Sequence, residues 1–256
     1  MEKIIIIAFG MAWGSFLNVV IYRIPRKMSL VSPPSSCPQC GKRIKFYHNI
    51  PVISYLLLKG KCRFCRAKIP FSYLLVEILT PVSFMLLYSR YGLQVHFFVS
   101  CLFATALILL GFIDFYHQIL PDVLTFPGIA LALGYSIFRS DLTFLQSVIG
   151  AAAGAGVLLF IYGAYYLVRK KEGLGMGDVT MMLMVGAFLG WRQTFFTLII
   201  ASFGGALAGV FIIIFKKKDL QFALPFGTFI APAAFAALIW GERIIRWYLG
   251  LYKGFN

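Results

Sequence analysis

Eight mostly apolar stretches divide this chain, at about 4–22, 71–88, 95–113, 123–138, 142–168, 179–191, 194–215 and 223–240. A helix that crosses a bilayer needs roughly 20 predominantly apolar residues. Most of these stretches reach that length; the sixth is short. In lipid, every backbone N–H and C=O must be satisfied within the segment, so runs of this kind fold as helices. Apolar residues make up 60% of the chain and charged residues 13%, too apolar a mixture for a soluble globule. The same composition excludes disorder, collagen and a small disulfide scaffold. The expectation is an all-α polytopic membrane protein with about eight transmembrane helices.

The charge balance sets an orientation. With 24 Lys+Arg against 9 Asp+Glu the net charge is +15. In a membrane protein this surplus points to anionic lipid rather than nucleic acid. Placing the N-terminus outside puts 17 basic residues in inner segments and 7 in outer ones, which satisfies the positive-inside rule. The first stretch lacks a signal-peptide layout and is followed by Arg23, Arg26 and Lys27, so it is expected as a retained helix. Neither an internal repeat nor low-complexity sequence is expected. The sizeable extramembrane unit is 23–70, between a first helix over 1–22 and a bundle over 71–256.

That cytoplasmic loop carries Cys37-Pro-Gln-Cys40 and Cys62-Arg-Phe-Cys65. Two C-x2-C turns supply four thiolates for a tetrahedral zinc ion, and nearby Lys and Arg offset the negative charge. A cytoplasmic location disfavours two disulfides, the competing pairing. A site with four cysteine ligands has no open position for water, so the zinc is expected to be structural, folding a loop too small for its own core. Cys101 stands alone in the third stretch as a small apolar residue.

Three of the five aspartates sit where apolar runs meet the inner face: Asp114, Asp122 and Asp178. A carboxylate at that boundary is costly unless solvated or paired, and is a functional candidate. Two carboxyls in one site share a proton: one can activate water while the other donates to a leaving amine, which is aspartyl peptide hydrolysis. Gly175 and Gly177 precede Asp178 and are expected to allow positive φ and the close approach of a substrate backbone. The competing reading makes Asp122 and Asp178 helix N-caps. Spacing does not choose between Asp114 and Asp122 as the partner of Asp178. Glu77, inside the second stretch, is a candidate to meet a substrate charge or to pair within the bundle. Asp141 and Asp219 read as solvated loop charges.

Taken in order, these pieces resemble the prepilin peptidase family, the type IV leader peptidases and N-methyltransferases of pilus and type II secretion systems. The matching pieces are Gly14-Ser15-Phe16-Leu17-Asn18-Val19-Val20-Ile21-Tyr22-Arg23-Ile24-Pro25, the two cysteine pairs, and Asn49-Ile50-Pro51-Val52-Ile53-Ser54-Tyr55-Leu56 between them. Then come Asp114 with Leu120-Pro121-Asp122, Gly175-Met176-Gly177-Asp178 and Pro225-Phe226-Gly227. The resemblance implies a Gly-x-Gly-Asp aspartyl membrane protease of the bacterial inner membrane, with Asp114 and Asp178 as its catalytic pair. It implies pilin-like or pseudopilin precursors as substrates, cut after a short basic leader at the cytoplasmic face. It also implies methylation of the new N-terminus with S-adenosylmethionine, associated with members that carry the loop cysteines. Two other classes fit the residues alone: a transporter using Asp114, Asp178 and Glu77 as ion ligands, and a scaffold with a zinc-folded docking loop.

Overall fold

A computed structural model describes residues 1–170, 175–216 and 224–253. Lys171, Gly173, Leu174, Lys217, Lys218, Asp219 and Ala223, used in the sequence argument, lie outside the described residues. The helices are α1 (Glu2–Arg23), α2 (Ile53–Leu57), α3 (Phe71–Tyr91), α4 (Val95–His117) and α5 (Asp122–Ser136). They continue with α6 (Phe144–Arg169), α7 (Met176–Leu189), α8 (Trp191–Lys216), α9 (Gly227–Ala236) and α10 (Glu242–Lys253). A π-turn, Ala237–Gly241, joins the last two. Among the described residues, β-pairing is confined to two isolated bridges inside the 23–70 loop.

Among the described residues, six segments are long and apolar enough to cross a membrane: α1, α3, α4, α6, α8 and the run Gly227–Tyr248. The protein is therefore a multi-pass membrane protein. The predicted fourth and sixth spans are the shorter helices, α5 with 15 residues and α7 with 14. At 1.5 Å per residue, α7 is about 21 Å long, less than the roughly 30 Å of a bilayer core. Gly190, at φ 76°, ends it.

The chain forms two compact units, Met1–Leu109 and Leu110–Asn256, with the boundary inside α4. In the first, α1 packs on α3 through small residues. A Cβ on Gly10 would stand 2.7 Å from Pro81 Cα, and one on Gly14 would stand 3.0 Å from Glu77 Cα. Gly-xxx-Gly spacing of this kind lets helix backbones touch in lipid, where dispersion rather than water drives association. Trp13 donates its indole N–H to Thr105 Oγ1 at 3.1 Å. Arg23 ends α1 with its guanidinium buried, donating to Ser29 O at 2.8 Å and Pro33 O at 2.6 Å.

In the second unit α7 is the hub. Nearly all its residues from Asp178 to Leu189 are buried, as expected of a helix that is apolar on every side. Gly186 of α7 and Gly150 of α6 cross with each backbone where the other's Cβ would be. Ser147 Oγ donates to Ala187 O at 2.5 Å across the same crossing. At the C-terminal end of α7, Arg139 donates to Phe188 O at 2.8 Å and pairs with Asp141 at 2.5 Å. A cation there complements the helix dipole.

Candidate functional site

The helices of the second unit gather two carboxyls. Asp114 sits one turn before the end of α4, which runs on to His117 instead of stopping at the apolar run. Asp178 lies in the first turn of α7. Both are nearly closed to solvent, at 4% and 7% exposure. The carboxyl acting electrostatically on Asp178 belongs to Asp114. Asp122 is exposed in the first turn of α5. The N-cap readings fail for both Asp122 and Asp178. The cap positions are Pro121 and Gly175, and neither helix start has a side-chain cap bond.

A third element completes the site. The first two residues of α9 lie against the carboxyls. Gly227 is close to both Asp114 and Asp178. The Thr228 N–H donates to Asp114 Oδ2 at 2.8 Å. Thr228 Oγ1 lies 3.2 Å from Asp114 Oδ2 and 3.2 Å from Gly111 O. Its single hydroxyl hydrogen can serve one of these acceptors at a time. Helix N-termini leave such N–H groups unpaired and carry a partial positive charge, so α9 stabilises negative charge placed between the carboxyls. Gly227 belongs to the Pro225-Phe226-Gly227 motif, whereas Thr228 is not among the expected site residues; its sequence signal is a polar residue opening an apolar run after that motif.

The glycines act by closeness rather than by positive φ. Gly175, at φ −76°, is the N-cap of α7, and its N–H faces the Asp178 carboxyl. Gly177 is helical, and a Cβ on it would stand 2.8 Å from Leu120 Cβ. A Cβ on Gly227 would stand 3.0 Å from both Leu120 Cδ2 and Asp114 Oδ2. Leu120 therefore wedges between two glycine-bearing helix starts, which brings the N-termini of α7 and α9 to the same place. Glu77 belongs to the first unit. Its Oε2 accepts the Val52 N–H at 2.7 Å, and Ser15 lies close by.

The four cysteines of the first unit converge. The sulfurs of Cys37, Cys40, Cys62 and Cys65 all lie within 4.8 Å of one another. Cys37 and Cys65 Sγ are 3.8 Å apart, too far for a disulfide, and all four are free thiols. Four sulfurs at about 2.3 Å from one zinc ion stand about 3.8 Å from each other, so this cluster has the dimensions of a tetrahedral metal site. The N–H groups of Cys65 and Phe64 point at the Cys62 sulfur and lower its thiol from 9.0 to about 7. These residues fit a metal that binds thiolate.

Each cysteine pair sits in the same small hairpin. Gly41 N donates to Cys37 O and Cys37 N to Lys42 O; Arg66 N donates to Cys62 O and Cys62 N to Ala67 O. Bridges Ser36–Arg43 and Lys61–Lys68 close them. Ile44 and Ile69 repeat a further bond to Ser35 O and Gly60 O. The two segments are thus an internal repeat, contrary to expectation. Its sequence signal is the shared Cys-x-x-Cys-x-x-basic-Ile.

The bacterial peptidase A24 N-terminal domain matches residues 8–91, and the type IV leader peptidase family matches residues 101–210. A prepilin leader peptidase/N-methyltransferase of Pseudomonas putida is 35% identical, covering 92% of this chain and 89% of that protein. One from Aeromonas salmonicida (strain A449) is 35% identical over 96% and 93%. One from Pseudomonas aeruginosa is 34% identical over 98% and 94%. No solved structure matches. Similarity at this level over nearly the full length of both chains shows that the chain belongs to the type IV leader peptidase family.

Proposed function

We propose that this protein removes the basic leader from type IV prepilin-like precursors by aspartyl-dyad hydrolysis and N-methylates the residue thereby exposed. The observation that carries the peptidase reading is a pair of buried carboxyls from separate helices, one of them bonded by the N-terminus of α9. Asp114 and Asp178 share one proton around a water. The charged carboxylate takes a proton from the water as its oxygen adds to the scissile carbonyl. The protonated carboxyl donates to that carbonyl oxygen. Collapse breaks the C–N bond, and a proton passes to the leaving amine, so water is divided between the two products. The α9 N-terminus stabilises whichever carboxylate is charged. Gly175 leaves room for the substrate backbone at the start of α7, while Gly177 admits Leu120.

The 23–70 segment is assigned to methyl transfer, with zinc held by Cys37, Cys40, Cys62 and Cys65 as its structural centre, and 71–256 to the peptidase bundle. S-adenosylmethionine supplies an electrophilic methyl group to the new amine. The substrates are pilin-like or pseudopilin precursors presented in the bacterial inner membrane, with the N-terminus of this chain outside and the cut at the cytoplasmic face. The positive-inside bias supports that orientation.

The test is cleavage of a pilin-like precursor by purified protein in detergent with lipid, beside Asp178→Ala. A product shortened at the leader Gly by wild type alone is expected. Cleavage by Asp114→Ala and Asp178→Ala alike would refute the dyad.

A further inference from the structure

The first unit contains a strained turn held by a carboxylate that lies among apolar helices. Ile53 N donates to Pro51 O at 2.6 Å, which closes a three-residue γ-turn around Val52. Val52 stands at φ 63° and ψ −53°. This is the rarer and strained form of the γ-turn, and a β-branched residue is a poor occupant of positive φ. Such a conformation persists only where its surroundings over-determine it.

Those surroundings are specific. Glu77 of α3 accepts the Val52 N–H at 2.7 Å. Ser15 of α1 lies close to the same carboxyl. One turn further on, Asn18 of α1 donates to Tyr73 O of α3 at 3.0 Å. Beyond the turn, Ser54 Oγ accepts the Ile50 N–H at 3.0 Å and donates to Tyr47 O at 3.3 Å. The close approach at Gly14 brings Ser15 up to Glu77. A carboxylate inside membrane helices is costly and marks function by default. Among the described residues the ion pairs are Arg139–Asp141 and Arg246–Glu242, so Glu77 has the Val52 N–H as a donor but no cation, although the neighbouring loop is rich in Lys and Arg.

We propose that Glu77 is a positioning residue for methyl transfer: it pins the Pro51-Val52-Ile53 turn to the α1–α3 pair and thereby fixes the four-cysteine segment in its working position. This rests on the assignment of methyl transfer to residues 23–70. In that transfer the amine nitrogen bonds to the methyl carbon as the sulfonium C–S bond breaks. The donor leaves as a thioether and the amine proton passes to water. Glu77 touches none of the reacting atoms; it acts through the Val52 N–H.

The experiment uses the full chain in lipid with a pilin-like precursor and S-adenosylmethionine. It measures leader removal, methyl incorporation and amide hydrogen exchange over residues 47–58. The variants are Glu77→Ala, Glu77→Gln, Val52→Gly and the Val52→Gly/Glu77→Ala pair. Glu77→Ala is expected to cleave like wild type, to lose about tenfold or more in methyl incorporation, and to exchange faster at Val52 and Ile53. Glu77→Gln keeps an acceptor oxygen and should retain most methylation. Glycine accepts positive φ without strain, so Val52→Gly should restore much of what Glu77→Ala loses. Unchanged methylation in Glu77→Ala overturns the proposal. So does a Glu77→Gln as deficient as Glu77→Ala with unchanged exchange, because the carboxylate would then act by its charge. Joint loss of cleavage and methylation with unchanged exchange would instead make Glu77 part of precursor binding. A wild type that cleaves without methylating overturns the methyl-transfer assignment, and this proposal with it, but leaves the dyad standing.

Discussion

The four-cysteine site and the carboxylate site are built in opposite ways. All four sulfurs come from residues 37–65, in two copies of one hairpin whose turns are closed by their own backbone bonds. The carboxylates come from α4 and α7, and the amides that serve them come from α9, so Thr228 reaches Asp114 across 114 residues. The first site could hold a metal, in a segment with little core of its own. The second is assembled by helix packing at Gly177, Gly227 and Leu120. A local site is specified by spacing. A distant site is specified by which helices are allowed to touch.

The largest expected effect separates the two sites completely. Asp114→Ala or Asp178→Ala should lower leader cleavage by about 10⁴-fold or more, as removal of a group acting in a catalytic unit does. Zinc content should stay at that of wild type, measured on the same preparation. A fall in both would mean that the carboxylates hold the fold rather than the chemistry.

Cys62→Ser attacks the comparison from the other side. Metal content should drop from about one zinc per chain, because the smaller and harder oxygen is a poor replacement for thiolate. Limited proteolysis should then cut within 23–70, and methyl incorporation should fail while cleavage persists. Equal loss of cleavage would show that the peptidase also depends on the loop.

A smaller effect sharpens the carboxylate site. Thr228→Val removes the hydroxyl but leaves the N–H. Loss of one hydrogen bond is worth about 1 kcal/mol, so kcat/KM for cleavage should fall about fivefold. An unchanged rate would show that the hydroxyl spends its hydrogen on Gly111 O instead of Asp114.

The smallest effect tests the repeat. Gly41 and Arg66 occupy the same hairpin position at φ 67° and 61°. Arg66→Gly should stabilise the second hairpin by about 0.5–1 kcal/mol, because only the arginine carries a Cβ penalty there. Slower zinc loss to a chelator would register it. Gly41→Ala should shift the rate in the opposite direction.

Much of the fold was legible from the chain. The eight apolar stretches correspond to helices because lipid leaves the backbone no other way to satisfy its polar groups. The sixth stretch, expected to be short, is α7 with 14 residues, and Gly190 ends it. The cysteine cluster was legible because its geometry is local, although the repeat around it passed unnoticed. The choice between Asp114 and Asp122 was not legible from spacing, since each stands at the boundary of an apolar run, Asp114 after one and Asp122 before the next. Helix α4 turns Asp114 inward toward α9, and α5 leaves Asp122 exposed.

By itself the sequence determined the environment and the chemistry available: a bilayer, four thiolates at metal spacing, and a few carboxyls where charge is expensive. Apolar length, charge bias and short-range spacing carry that information without a fold. Only the tertiary structure decided the partners. It set the start of α9 against Asp114 and Asp178, wedged Leu120 between two glycines, and tied Glu77 to a strained loop turn. Those contacts join residues far apart in the chain, and they exist because particular glycines let particular helices approach, which no local pattern encodes.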